Sequence, residues 1–356
     1  MECRVDEIFQ LGRGRGRASE LKDGGAMLSR VADSLYWMAR YLERAEHTTR
    51  LVDVNLNLML DESSTSSDHR WMRVLHALGR PKRVKWDGNP YELARTLTFD
   101  TGHKSSVLSC IFAARENARH VREQISTEQW HRLNSLYLEV TRPEVKVMMQ
   151  RPTEAANEAP SAFLQQVLEA VHQFQGVTDS TMTHGEGWHF IQVGRYLERA
   201  MATAMLLDAY HGDLWTKRER GPVANEYLEW MGLLRSATAF EAYCKVYTAD
   251  LTPERILEFL LLNAEFPHSL RFSVESMQGA LRAVQERSGG ARAEALMRLA
   301  GRMQASLAYV SVDEILDRGV VPYLQNVQGE CNQLHRMLYS VYVDYSVQSA
   351  LADARR

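Results

Sequence analysis

The sequence predicts an all-α protein, a multi-helix bundle built from two related halves that each contain a central helix with a Glu-Arg pair. Apolar residues recur at three- and four-residue steps, whereas strand-like alternation at every second residue is nearly absent. Only nine of the 356 residues are proline, which favours long helices. The segment RYLERA occurs twice, at 40–45 and at 195–200, which indicates an internal duplication.

The first half, about residues 27–141, has a helical apolar pattern interrupted by polar loops. Its expected helices are Leu28 to Asp61, Asp68 to Leu78, Pro90 to Leu97, Ser105 to Ile125 and Glu128 to Val140. A serine-rich run at 61–67 separates the first two helices. Ser126 is expected to cap the last one, because a serine hydroxyl oxygen accepts hydrogen bonds from the backbone N–H groups at a helix start.

The second half, about residues 161–351, follows a stretch at 142–160 that contains three prolines and is the expected boundary. Its expected helices are Ser161 to Thr181, Trp188 to Tyr210, Tyr227 to Tyr247, Glu254 to Asn263, Ser269 to Ser288, Ala291 to Val310 and Val321 to Ala350. The segment 211–225 contains glycine and proline and is predicted to be a loop.

The two ends of the chain differ from the helical body. Residues 1–26 include LGRGRGRASELKDGG, which has no apolar period and predicts a disordered leader. The helical pattern begins at Met27, which makes this residue a candidate natural start and the leader a candidate over-extension of the gene. The helical domain is expected to span 27–351, followed by a short tail at 352–356.

Composition narrows the function classes. A formal net charge of −3 gives no general attraction to nucleic acid or membrane, so neither is an expected partner. No apolar run is long enough to cross a bilayer. Four well-separated cysteines without a CxxC pair are typical of a reducing compartment, which predicts a cytoplasmic protein.

The RYLERA helices place charges in apolar surroundings. Apolar residues lie on both sides of the first helix, at Leu42 and near the opposite side at Leu51, so this helix is expected to be central in the bundle. Buried carboxylates and guanidiniums must pair, because an unpaired buried charge costs several kcal/mol. One interpretation is a structural ion-pair lattice between the two halves. Its pairs would be Glu43 with Arg199 or Arg195, and Glu198 with Arg44 or Arg40.

The other interpretation is a ligand pocket, in which paired arginines clamp an anionic or amide-bearing ligand and a glutamate acts as acid, base or acceptor. Five further polar or charged residues are expected at the same centre. They lie in two other apolar helices and are Arg115, Glu116, Asn117, Arg119 and Glu241.

The turn before the second RYLERA helix contains one Glu-x-x-His spacing, Glu186 to His189. Di-iron bundles use two such motifs and two more carboxylates, so one copy predicts no metal site. Glu186 is expected to stabilise the helix start, and Trp188 to anchor the core. No nucleotide-binding, nucleophile-elbow or zinc-protease motif is present, so no cofactor is expected and catalysis is left undecided.

Five segments in order carry a resemblance to a known family. They are MLSRVADSLYWMARYLERAEHTTRL, SVLSCIFAARENARHVREQIS, DSTMTHGEGWHFIQVGRYLERA, SATAFEAYCKVY and FLLLNAEFPHSLRFSV. Together they resemble the bacterial alpha-E domain family, named for its helical content and its Glu-Arg motif. The resemblance runs from about Met27 to about Leu351, and it leaves the leader outside.

The resemblance implies a set of site residues and partners. The implied partners are a circularly permuted ATP-grasp ligase and a transglutaminase-like protease, with a peptide or amide-bearing small molecule as the ligand. The segment EFPHSLR adds Arg271, and His268 stands there where the family has arginine. The positions carried over from the family motifs are Glu43, Arg44, Arg115, Glu116, Asn117, Arg119, Glu186, Trp188, Arg195, Glu198, Arg199 and Glu241.

Three functions remain in competition. The leading hypothesis is an accessory or substrate-binding protein of an ATP-grasp-linked peptide or amide modification system, with the ligand in the charged centre. The alternative is an enzyme of acyl or amide chemistry, with Glu43 or Glu198 as general base and arginines as anion stabilisers. The third is a ligand-free scaffold.

Overall fold

The structure, a computed structural model, describes residues 29–59, 66–81, 84–145, 159–218, 226–248, 250–288 and 293–343. Within these ranges the chain consists of helices and turns and contains no strand, which confirms the predicted all-α class. The expected leader at 1–26 and tail at 352–356 lie outside the described residues. The relation between the two proposed halves remains a prediction.

The N-terminal helices follow the sequence pattern closely. They are α1 (Ser29–Asn57), α2 (Ser67–Ala77), α3 (Pro90–Phe99), α4 (Val107–His120) and α5 (Thr127–Val140). Ser126 caps α5 as expected: its hydroxyl accepts from the Gln129 N–H at 3.1 Å, and the Gln129 side chain accepts from the Ser126 N–H at 2.7 Å. This reciprocal capping satisfies two backbone donors that the helix itself leaves unpaired.

The remaining helices complete the bundle. They are α6 (Ala159–Thr181), α7 (Glu186–Arg218), α8 (Glu226–Ser236), α9 (Phe240–Tyr247), α10 (Pro253–Leu262), α11 (Leu270–Ser288), α12 (Glu294–Tyr309), α13 (Val312–Arg318) and α14 (Val320–Leu338). A π-helical turn, Tyr339–Val343, follows α14. None of the described helices is both long and apolar enough to cross a membrane.

Several elements differ from the predictions; α4, for example, ends at His120, although its helix was expected to reach Ile125. Helix α7 continues to Arg218, although 211–225 was predicted to be a loop. The predicted helix 227–247 is two helices, because Thr238 takes a left-handed φ of 58° and the Ala239 N–H bonds to the Leu234 carbonyl at 2.7 Å, which ends α8. The seven residues of α13 are too few to display an apolar period, and this helix was missed.

Helix α1 lies at the centre of the bundle, as its apolar residues on both sides predicted. Leu42 and Leu51 are both buried. Helix α1 packs against α4 and α6 as well as α7, and α7 in turn packs against α2, α11 and α14. The two RYLERA segments therefore lie in two helices that pack extensively against each other, as expected for ion pairs between the two segments.

The two helices meet at Gly194. A Cβ atom at this position would lie directly on the Tyr36 carbonyl oxygen and 3.3 Å from the Ala39 Cβ. Gly194 is the first residue of GRYLERA, and Ala39 is the first residue of ARYLERA. The one letter that distinguishes the two segments thus lies at the crossing point, where the absence of a side chain lets the backbones come close.

Replacing Gly194 with alanine is expected to destabilise the protein by about 1–3 kcal/mol, because the added methyl overpacks a backbone contact that cannot move aside. Helix propensity alone would favour alanine by about 0.5–1 kcal/mol. The matched control is Gly279→Ala in α11, where a new Cβ meets nothing within 4 Å, so propensity alone should stabilise it. Urea unfolding of both variants checks the opposite signs, and equal stabilisation would contradict the close crossing.

Candidate functional site

The buried charges of the two RYLERA helices pair across the crossing. Glu198 of α7 accepts from Arg40 Nε at 2.6 Å and from Arg44 Nε at 2.7 Å, both of α1. Burial alone would raise the pKa of Glu198, but the two guanidiniums outweigh it and bring the pKa down to about 2. Glu198 is therefore ionised at neutral pH and bridges two arginines.

Arg40 is held on its other side by aromatic groups. Its Nη1 donates to the Tyr36 hydroxyl at 3.0 Å and lies 3.2 Å from His335 Nδ1, and its guanidinium lies 4.8 Å from the centre of the Trp37 ring. Burial, followed by repulsion from Arg40, lowers the pKa of His335 to about 4. A neutral His335 ring can accept a hydrogen bond, which suits its position between Arg40 and Tyr36.

In the second ion pair the glutamate lies on α1 and the arginine on α7, the reverse of the first. Glu43 of α1 accepts from Arg199 Nε and from Arg199 Nη2, the latter at 2.9 Å, in the bidentate geometry of strong charge-assisted pairs. Arg199 Nη1 also donates to the Pro267 carbonyl at 3.2 Å. Arg195 Nε lies farther from Glu43, at 3.9 Å. The predicted ion-pair partners of both glutamates are thus found in the structure.

A further carboxylate, Glu46, lies one helical turn from Glu43 and is buried beside it. Gln175 of α6 donates to Glu46 at 3.1 Å, while Arg50 and His172 lie 3.2 and 3.1 Å from its other oxygen. Burial and the nearby Glu46 raise the pKa of Glu43. Burial acts in the same direction on Glu46, but its hydrogen-bonding and charged neighbours hold its pKa well below the ordinary range.

The two pairs differ in the space around them. The cavity beside Glu43, Glu46 and Arg199 has a volume of about 20 Å³, room for little more than one water molecule. The cavity beside Glu198 has a volume of about 330 Å³, within the range of small-molecule sites. We call this second cavity the Arg44 pocket. It is lined by Arg40, Arg44, His47, Thr48, Ala77, Leu78, His103, Ser105, Glu198, Met201, Ala202, Met205, Gln328 and Asn332.

Three side chains in the wall of the Arg44 pocket carry polar groups without a hydrogen-bond partner among the described residues. These groups are the Nη groups of Arg44, His47 Nε2 and Thr48 Oγ1. Thr48 is only 1% exposed, so water cannot readily solvate its hydroxyl. Burial lowers the pKa of His47 to about 4, which leaves its ring neutral at pH 7. Because buried polar groups are usually paired, these atoms are candidate contacts for a ligand.

Four predicted site residues on α4 lie away from this centre, contrary to the expectation that they would join it. Arg115 donates to Asn134 of α5 at 2.9 Å and stacks on the Tyr137 ring. Arg119 pairs with Glu116 at 2.7 Å on the outer surface. Asn117 donates to the Ala113 carbonyl within its own helix. The buried face of α4 carries its small and apolar residues, which forces these polar side chains outwards.

Glu241 and Arg271 are also outside the centre. Glu241 is exposed in the first turn of α9, because the break at Thr238 starts a new helix there and turns this residue to solvent. Arg271 pairs with Glu275 at 2.9 Å along α11. His268 instead lines the small cavity beside Glu43. Burial and the charge of Arg199 lower its pKa well below the ordinary range.

Trp188 does not anchor the core as predicted. It is half-buried, its Nε1 donates to Asp179 at 3.2 Å, and its ring stacks on His184 at a centroid distance of 4.1 Å. The Gly-containing turn brings the start of α7 to the surface, so the indole covers the end of α6. Glu186 is the first residue of α7, where a negative charge is favourable. No group of His, Cys, Asp and Glu within the described ranges is placed to hold a metal ion.

Tyr36 and His47 of α1 also contact the centre, Tyr36 through Arg40 and His47 in the wall of the Arg44 pocket. Sequence reasoning missed Glu46, His172, Gln175, His268 and His335. Only Glu46 had a readable signal, since it lies three residues after Glu43 on the same helix face. The others come from α6, α14 and the turn before α11, and nothing in the local sequence indicates which surface they meet.

The fold and this centre define a class of helical-bundle protein in which two crossing helices are joined by buried Glu-Arg ion pairs. Over residues 27–343 the chain matches the Alpha-E family, described as a predicted alpha-helical domain with a conserved ER motif. The chain belongs to this family, which confirms the resemblance drawn from its motifs. Both Glu43-Arg44 and Glu198-Arg199 are ER pairs, and all four of these residues lie at the crossing of α1 and α7.

The relatives found include uncharacterized proteins of Mycobacterium bovis and of two strains of Mycobacterium tuberculosis. Each is 24% identical over 286 residues, which covers 75% of this chain and 31% of the relative. The chain therefore matches about a third of the length of these curated relatives. No solved structure matches the chain.

Breaking the closed pair is expected to be costly. Glu43→Gln leaves the Arg199 guanidinium buried without a counter-charge at hydrogen-bond distance, and should lower the free energy of unfolding by about 3–5 kcal/mol. Arg44→Met should cost only about 1 kcal/mol, because Glu198 keeps Arg40 and the Arg44 side chain is 25% exposed. The double variant Glu43→Leu/Arg199→Met should recover much of the loss. Equal costs for Glu43→Gln and Arg44→Met in urea unfolding would contradict the two different environments.

The buried histidines predict early acid destabilisation. His47, His211 and His335 have pKa values lowered to about 4 from an ordinary 6.5, mainly by burial. Between these values the unfolded chain binds more protons than the folded protein, so stability is complete above pH 6.5 and falls towards pH 4. Glu198, lowered from 4.5 to about 2, adds a second loss below pH 4.5.

Urea unfolding at pH 7 and pH 5 measures the first loss. His47→Asn is expected to reduce the difference between the two free energies by about 1–2 kcal/mol, because a buried neutral histidine contributes up to about 1.4 kcal/mol per pH unit over the roughly 1.5 units between pH 6.5 and pH 5. A wild-type stability that is constant from pH 7 to pH 5 would show that these rings are not buried as neutral groups.

Proposed function

We propose that this protein is an accessory, substrate-binding component of an ATP-grasp-linked peptide or amide modification system, and that it holds its ligand in the Arg44 pocket. The observation that carries the proposal is the set of unpartnered polar groups on Arg44, His47 and Thr48 around a cavity of about 330 Å³. A cavity of this size with a few convergent polar groups is typical of a small-molecule site.

A ligand-free scaffold accounts for only one side of the centre. Glu43, Glu46 and Arg199 surround about 20 Å³ of space, and this closed lattice needs no ligand. A scaffold does not explain the Arg44 pocket, where Thr48 Oγ1 is buried without a hydrogen-bond partner. Leaving such a group unsatisfied costs about 1–3 kcal/mol, and a bound ligand would recover that cost.

The enzymatic alternative is weaker than binding. An efficient general base has a pKa near the working pH, and the pKa of Glu198 is about 2 because two guanidiniums stabilise its charge. Glu43 is occupied by the Arg199 fork in a space too small for a substrate. The geometry therefore supports Glu198 as the residue that orients Arg40 and Arg44, rather than as a proton acceptor.

The partners are proposed from the family resemblance. An ATP-grasp ligase would form the amide bond and a transglutaminase-like protease would process the product, while this protein presents the peptide or amide-bearing molecule. The mycobacterial relatives support a role alongside other domains, because the matched segment is 31% of their length. We also infer two related halves, since Glu43 meets Arg199 while Glu198 meets Arg44, a reciprocal pattern expected from a duplicated helix.

The proposal is tested by measuring the rate of ligation by an ATP-grasp ligase of the proposed partner class from the same genome, with and without this protein. The wild-type protein is expected to raise the rate of ligation. The Arg44→Met variant should remain folded and lose at least nine-tenths of that increase. The matched control is Arg298→Met, which removes an arginine from the exposed pair with Glu294. Folded Arg44→Met and Glu198→Gln variants that both retain the full increase would overturn the proposed role of the pocket.

A further inference from the structure

The chemistry of the Arg44 pocket specifies a ligand class, an inference that rests on the proposed binding function. The first constraint comes from Arg44. Its Nε is used by Glu198, and no described residue accepts from its two Nη groups. Arg40 differs, because its Nη1 already donates to Tyr36. Arg44 therefore presents a fork of donors to the pocket, the geometry that binds a carboxylate or phosphate with two parallel hydrogen bonds.

The charge balance favours a carboxylate over a phosphate. Arg40 and Arg44 contribute two positive charges and Glu198 one negative charge, which leaves one positive charge to be neutralised. Burial keeps His47 neutral at pH 7, as it does His103, whose pKa is also lowered. A carboxylate carries one negative charge, whereas a phosphate monoester carries about 1.5 to 2. The carboxylate therefore neutralises the pocket without adding uncompensated charge.

The second constraint comes from the next turn of α1. His47 and Thr48 follow Arg44 at three and four residues, so all three side chains share one helix face about 5–6 Å apart. Both side chains line the Arg44 pocket, and His47 Nε2 and Thr48 Oγ1 have no hydrogen-bond partner among the described residues. A neighbouring amide, which offers one donor and one acceptor, can satisfy both atoms.

The third constraint is apolar. Met201, Ala202 and Met205 of α7, with Leu78 at the end of α2, also line the pocket. Methionine side chains adapt to different apolar shapes. A volume of about 330 Å³ corresponds to about ten water molecules, since each takes about 30 Å³ in the liquid. This is enough for one acylated amino-acid residue and too little for a folded peptide.

We propose that the Arg44 pocket binds the carboxylate end of an N-acylated amino acid with an apolar side chain, either free or as the C-terminal residue of a peptide. Arg44 holds the carboxylate, His47 and Thr48 bind the adjacent amide, and the side chain packs on Met201 and Met205. Glu198 orients the Arg44 fork and does not touch the ligand.

The test is an equilibrium titration of the full chain with N-acetyl-L-methionine, its carboxamide, and the tetrapeptide Ala-Ala-Ala-Met. The acid is expected to bind at least tenfold more tightly than the carboxamide, because the amide loses the charge-assisted pair. If the natural ligand is free, the tetrapeptide will bind more weakly than the acid, and if it is a peptide end the order will reverse. Either order supports the carboxylate site.

Three variants identify the residues. Arg44→Lys keeps the charge but loses the fork, and should weaken the acid at least tenfold. Thr48→Val keeps the shape, and should weaken N-acetyl-L-methionine several-fold while leaving hexanoate, a carboxylate without the amide, unchanged. Arg298→Lys on the exposed face of α12 is the matched control and should leave every titration unchanged.

Equal affinities for the acid and the carboxamide would overturn the carboxylate assignment, and so would an acid titration that Arg44→Lys leaves unchanged. Absence of binding by all three probes would overturn it as well. None of these results decides the proposed accessory role, which the ligation assay with Arg44→Met measures independently. The two failures are therefore distinguishable.

Discussion

The reciprocal ion pairs between α1 and α7 are the interaction on which the rest of the structure depends. Glu43 and Glu198 are both buried, and a buried carboxylate is tolerated only with a close counter-charge. Each finds its counter-charge on the opposite helix, so the two helices must cross at one register and at short range. Gly194 makes that range attainable, because any side chain at this position would collide with the backbone of α1.

Two similar charge pairs perform different tasks because their surroundings differ. Pro267, Gln175 and neighbouring groups close the space around Glu43 and Arg199, which makes this pair a structural lattice. On the other side Glu198 takes the Nε of both arginines and leaves the Arg44 fork facing open space. The lattice and the pocket, which the sequence presented as competing interpretations, are therefore the two sides of one centre.

The electrostatics of the open side are suited to holding a ligand rather than to moving protons. A carboxylate between two guanidiniums stays ionised over the whole physiological range, and its main effect is to fix the position of the arginines. The neutral rings of His47 and His335 add hydrogen-bonding capacity without adding charge. Since positioned, desolvated arginines bind anions more strongly than solvated ones, the burial of this centre supports the proposed ligand site.

The sequence by itself determined the helical class and most helix boundaries, and it limited the expected partners of each glutamate to two arginines, because apolar periodicity and the cost of buried charge act through local spacing. It also placed Arg115, Glu116, Arg119 and Glu241 in the centre, where they do not lie. Only the tertiary structure decided which polar helix faces turn inwards and which pair keeps an open cavity. Those outcomes depend on residues far apart in the chain, such as His268 and Asn332, that meet α1 and α7 only after the bundle has packed.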